Sequence, residues 1–111
     1  MHEYSIAAEI AAIVKQTAHD RQVKKITLAI GVLSGVFSES LLMYLELVLP
    51  DMGMNGVVIE TKEVPAGFAC VCGRQYTGKS MTELCPACGG YDRTITAGHD
   101  CTIESIEVED D

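Results

Sequence analysis

The spacing of apolar positions changes along the chain, and each change marks an element. Near the start, Ile6, Ile10, Ile13 and Val14 recur at helical intervals while Glu9, Lys15 and Gln16 point elsewhere, which predicts an amphipathic helix over residues 3–19. Thr17, next on that stripe, thins it. Glu3 in the first turn suits the positive end of the helix dipole, and His19 at the far end suits the negative one. From Val23 the interval shortens to two. Ile26, Leu28, Ile30 and Val32 fall on one face and Thr27, Ala29 and Gly31 on the other, the pattern of a strand over 23–33. Gly31 and Gly35 interrupt it. Ser38 is placed to cap a second helix, whose stripe of Leu41, Leu42, Leu45, Val48 and Leu49 stops at Pro50. A glycine-containing turn over 52–56 leads to a second strand, VVIETKEV, ending at Pro65. A short strand over 93–96 and an exit at Gly98 precede a third long strand, CTIESIEV. Its Ile103, Ile106 and Val108 break strict alternation, so a bulge or a two-sided strand is expected.

Between the second and third long strands the apolar pattern fades and cysteines replace it. Four of the five cysteines lie in FACVCGRQYTGKSMTELCPACGG, residues 68–90. Cys70 pairs with Cys72 and Cys85 with Cys88, and the residues between the pairs are enough to bring them face to face as a tetrahedral thiolate site. Pro86 fixes φ in the second turn, Gly89 supplies a conformation few residues tolerate, and Cys72-Gly73 repeats half of that design. The first pair is C-x-C rather than C-x-x-C, which leaves His99 and Cys101 as candidate substitute ligands. Disulfides, a thioredoxin-like redox pair and a rubredoxin-like iron site are the competing readings. Met1 is followed at once by His2 and Glu3, with no charged segment ahead of an apolar run, so a reduced, cytoplasmic setting is expected, where paired cysteines usually mean metal. Cys101, on a predicted strand, reads as a small buried hydrophobe.

These elements assemble into an α+β fold. A three-stranded sheet with two helices comprises residues 1–65 and 97–111, and a small zinc-ribbon domain, 66–96, is inserted between the second and third long strands. A segment of that size, with few residues for a core, normally needs a metal to fold. The net charge of −8 repels phosphate backbones, so nucleic acid is not an expected partner. Lys24, Lys25 and Arg21 form the one basic cluster, outside the ribbon. No apolar run approaches the roughly 20 residues of a spanning helix, so no membrane role is expected. The acidic run from Glu104 reads as a solvated tail.

No nucleophile-base arrangement, phosphate-binding loop or H-E-x-x-H motif is present, and the chain is too short to wall a large cleft, so an enzyme is not expected. His2 is the informative residue. The α-amine of Met1, the intervening amide and the His2 ring nitrogen can close five- and six-membered chelate rings on one ion. Adding the Glu3 amide gives four nitrogens, a planar field that favours Ni(II) or Cu(II) over Zn(II). On residue type alone, a lone exposed histidine is by default a solvated side chain.

The start Met1-His2-Glu3-Tyr4-Ser5, the stretch LAIGVLSGVFSESL over 28–41, the four-cysteine ribbon with CPACGG and the closing strand CTIESIEV together resemble the hydrogenase maturation nickel chaperones of the HypA/HybF family. The resemblance implies Ni(II) carried at Met1, His2 and Glu3, and structural Zn(II) on Cys70, Cys72, Cys85 and Cys88. It further implies work with a HypB-type maturation GTPase and delivery to the large-subunit precursor of nickel-iron (NiFe) hydrogenase, with urease as a second target in some members. The rival from another class is a zinc-ribbon adaptor with no second metal, which binds a protein or nucleic acid through the ribbon and is indifferent to its N-terminus.

Overall fold

The computed structural model describes residues 2–109. Helix α1 spans Glu3–Ala18 and ends on His19 in the left-handed region, φ 51°. Its buried face is Glu3, Ala7, Ile10, Ala11, Val14 and Ala18, so the inward stripe is turned about one residue from the isoleucine stripe seen in the sequence. Ile13 is exposed and Ile6 only partly buried. Alanines on the inner face let the helix backbone approach its neighbours closely, and Ala18, not Thr17, continues the stripe.

Strand β1, Val23–Gly31, is the centre of a three-stranded sheet. It pairs in parallel with β2, Val58–Val64, and antiparallel with β6, Cys101–Val108. A parallel pair needs a crossover, and α2, Ser38–Asp51, supplies it. Two sequence expectations are corrected here. Ser38 is the first helical residue rather than the cap, which is Phe37 and has no capping side chain, and Pro50 lies inside the helix, whose C-cap is Met52. Helical φ suits the proline ring, and what Pro50 removes is one N–H near the helix end.

The expected bulge in β6 is present. Thr27 faces Ser105 while Leu28 faces Ile103, leaving Glu104 as the extra residue. It brings Ile103 and Ile106 opposite Leu28 and Ile26, so all four face the same core despite their uneven spacing. That core joins Ile10, Val14, Ile26, Leu28, Leu41 and Leu45 between the helices and one sheet face. The opposite face is solvated and crossed by ion pairs, Lys25 with Glu60 at 3.0 Å and Lys62 with Glu104 at 2.7 Å.

A second three-stranded sheet, order β4-β3-β5, is inserted after β2. It comprises β3, Ala66–Cys70, β4, Gln75–Gly78, and β5, Arg93–Ala97, all antiparallel. Where the chain enters and leaves it, backbones are stitched together. Gly31 N–H donates to the Asp100 carbonyl at 2.8 Å, Leu33 N–H to Gly98 at 2.8 Å, and Val32 N–H to Val64 at 2.9 Å. A Cβ on Gly31 would lie 2.1 Å from the Gly98 oxygen, and one on Gly98 2.6 Å from the Pro65 oxygen. Only glycine permits this approach. The molecule measures 54 × 30 × 17 Å with a radius of gyration of 17.1 Å, against about 13 Å for a compact domain of this length.

Candidate metal centre

Cys70 ends β3 and Cys72 lies in the turn toward β4. The Cys70 N–H donates to the Arg74 carbonyl and the Gly73 N–H to the Cys70 carbonyl, both at 2.9 Å, and Gly73 takes φ 98°. This tight hairpin turn folds Cys72 back over Cys70 with a single spacer. The second turn repeats the design: Gly89 N–H donates to the Cys85 carbonyl at 2.8 Å, Cys85 N–H to Gly90 at 3.1 Å, and Gly89 has φ 70°. Gly90 N–H also points at the Cys88 sulfur, 3.3 Å away.

All four sulfurs lie within 4.8 Å of one another and form a group able to hold a metal ion. Each cysteine of the first pair meets one of the second: Cys70 and Cys88 at 3.6 Å, Cys72 and Cys85 at 3.7 Å. A tetrahedral ion with metal–sulfur bonds of about 2.3 Å has sulfur–sulfur edges of about 3.8 Å, so the cluster fits Zn(II). Both distances are far beyond the roughly 2.05 Å of a disulfide. The Cys88 N–H, followed by that of Ala87 and the neighbouring sulfurs, lowers the Cys85 thiol to about 6 against the cost of burial. For Cys70 and Cys72, the N–H groups of Cys72 and Arg74 pull the other way, but burial and neighbouring sulfurs push these thiols up. Loading a metal therefore expels thiol protons from the cluster.

Neither substitute ligand joins it. Among the described residues the sulfur group is Cys70, Cys72, Cys85 and Cys88. His99 is instead 3.6 Å from Asp100, and Cys101 begins β6, half-buried against the main core. The sequence reading also missed Arg93. Its guanidinium lies 4.2 Å above the Phe68 ring and 3.9 Å from that of Tyr91. It donates to the Tyr76 hydroxyl at 3.0 Å and to the carbonyls of Met81 and Glu83. One arginine thus ties the loop before Cys85 to the sheet that carries Cys70. A cation flanked by Phe68, Tyr76 and Tyr91 in a stretch with few aliphatics was the available signal.

The other candidate group is at the start of α1. Met1 lies outside the described residues. His2 is the exposed N-cap, its carbonyl accepting the first helical bond from Ile6 N–H at 3.0 Å. Glu3 is buried, and its carboxylate accepts from the Phe37 N–H at 3.3 Å, serving the start of α2 that has no cap of its own. His2 lines a cavity of about 490 Å³ with Ile6, Glu9, Val36, His99 and Cys101. The connection leaving the ribbon thus lines the same cavity as His2, a juxtaposition that sequence spacing alone does not show.

The family model for hydrogenase/urease nickel incorporation, the metallochaperone HypA, matches residues 1–108. The hydrogenase maturation factor HypA of Dehalococcoides mccartyi (strain CBDB1) is 36% identical over 115 residues, covering all of this chain and 97% of the relative. That of Geobacter metallireducens is 32% identical over 98% of this chain and its own full length. The solution structure of the Ni metallochaperone HypA from Helicobacter pylori superimposes with a TM-score of 0.70 at 18% identity, over 97% of each chain. At that identity the likeness speaks for the fold, and a second HypA solution structure agrees, with a TM-score of 0.73 at 17% identity over 98% of this chain and 97% of the other. The whole-length model match and the full-length relatives above 30% identity place this chain in the HypA/HybF family of hydrogenase maturation metallochaperones.

Proposed function

We propose that the chain carries Ni(II) at Met1, His2 and Glu3 and delivers it during maturation of nickel-iron hydrogenase. In this reading a HypB-type GTPase and the hydrogenase large-subunit precursor are its partners, and the work is done in the cytoplasm. The observation that carries the proposal is the family match from residue 1 to residue 108, which takes in the Met-His-Glu start and the four cysteines together. Structural support comes from His2, exposed at a helix start where backbone N–H groups lie outside the intrahelical ladder. Amide nitrogens there can turn to an ion without breaking the helix.

Zn(II) is the proposed resident ion of the ribbon, held by Cys70, Cys72, Cys85 and Cys88. It would supply a cross-link to a unit of residues 66–96, with β5 running on to Ala97, while residues 1–65 and 97–111 form the nickel-binding unit. The chain's own contribution to nickel transfer is a grip that lets go. Ligands on an accessible edge can be exchanged one by one for those of an acceptor, and nothing in this needs a catalytic residue. The amine and imidazole must shed protons to bind, so acid weakens the grip.

The test is a nickel titration of untagged protein beside His2→Ala and a form extended before Met1. Untagged protein should bind stoichiometric nickel, and both altered forms should lose it with their melting transitions unchanged. Full nickel binding by either would refute the N-terminal assignment, and an untagged protein that binds no nickel is the outcome that an adaptor without a second metal requires.

A further inference from the structure

The face of α2 turned away from the core is apolar where a solvated helix would be polar. Met43 is 51% and Leu47 62% exposed, and with exposed Pro50 they follow one another at i, i+4 and i+7, a single stripe along the outside of the helix. Exposed carboxylates border it. Helical geometry puts Glu39 and Glu46 along one flank, while Asp51 stands at the C-terminal end of the other, which begins at Ser40. The helix has no lysine or arginine. Cations stand at its two ends, Lys15 on the Met52 carbonyl and Lys79 in the cavity it shares with Phe37 and Ser38. None of the ion pairs among the described residues within 4.0 Å uses a carboxylate of α2. Exposed Tyr4, packed edge-on against Tyr44 at 5.5 Å, extends the apolar surface onto α1.

We propose that this face docks an amphipathic helix of a partner protein, apolar along one side and bordered by lysine and arginine. Regularly spaced apolar anchors are the form in which helices are recognised, and the acidic border, strongest on the flank of Glu39 and Glu46, selects the charge of the visitor. The same border argues against the other occupants. Two copies of this face would bring like charges together, and phosphate-bearing nucleic acid or an anionic membrane would be repelled. The inference is independent of nickel and would stand if the N-terminus held none.

The experiment titrates the full chain with a synthetic amphipathic helix of leucine and lysine, followed by calorimetry and amide NMR. The expected result is saturable binding with shifts concentrated on residues 38–51, and no binding of the matching leucine-glutamate peptide. Leu47→Glu and Met43→Glu should each weaken binding about tenfold or more, as loss of a central anchor does. Glu39→Lys and Glu46→Lys should weaken it and flatten its salt dependence. Should an apolar-site variant melt early, the two charge variants on the outer surface decide alone. Equal binding by wild type and variants, shifts confined to the ribbon or the open sheet face, or no binding by wild type would each overturn the proposal.

Discussion

Single residues carry the ribbon. The sulfur geometry admits Cys70, Cys72, Cys85 and Cys88 and excludes the nearby Cys101 and His99. On the zinc assignment proposed above, Cys72→Ser is expected to lose the ion, whereas Cys101→Ser and His99→Ala retain one ion per chain by metal analysis. The grouping of the four cysteines was legible because such a cluster is written in residue type and spacing, and Gly73 and Gly89 declared the turns. The exclusion of the spare ligands was not legible. It depends on how tightly the turn from Cys70 to Gly73 closes, a matter of hydrogen bonds rather than of counting. Arg93 was missed for a related reason, since its partners Phe68, Tyr76, Met81, Glu83 and Tyr91 come together only once the sheet has formed.

At the scale of elements, the strands and helices followed the periodicity while their inner faces sometimes did not. β1 kept Ile26, Leu28 and Ile30 inward as expected, but α1 turned its alanines in and left Ile13 out. Close packing rewarded fit over hydrophobicity there. The junction of β1, β2 and β6 depends on contacts that no side chain signals. Gly98 has φ 89° and its Cβ position lies against the Pro65 carbonyl. Gly98→Ala should thus destabilise the protein by about 1–3 kcal/mol in thermal or denaturant unfolding. Gly53→Ala, at φ 83° but with open space around it, should cost about 1 kcal/mol. The Lys62–Glu104 pair across the bulge has a definite pH signature. Hydrogen bonding and charge from Glu104 raise the Lys62 ammonium above its usual 10.5. Its contribution is complete below the unfolded value of 10.5 and disappears as pH rises through the higher folded value. The small stability difference between wild type and Lys62→Met should hold constant from pH 7 to 9 and vanish at more alkaline pH, measured by urea unfolding.

For the whole molecule, two apolar centres are separated along a 54 Å long body. The main core runs from Ala7 to Met54 with β6, while Phe68 and Tyr76 stack at 5.1 Å in the ribbon. On the zinc assignment proposed above, a chelator should collapse amide protection over residues 66–97 and leave that of Ile26, Leu28, Leu41 and Leu45 intact by hydrogen exchange. Uniform loss of protection would show one cooperative unit instead.

The ribbon strands leave the main sheet side by side, with the Pro65 carbonyl almost touching Gly98. A loop pinned at a single point can grow or shrink without disturbing the strand register behind it, since doubling its length adds only about 0.6 kcal/mol of closure entropy. Evolution can accordingly re-tailor this appendage for new company while inheriting the main sheet and its two helices untouched.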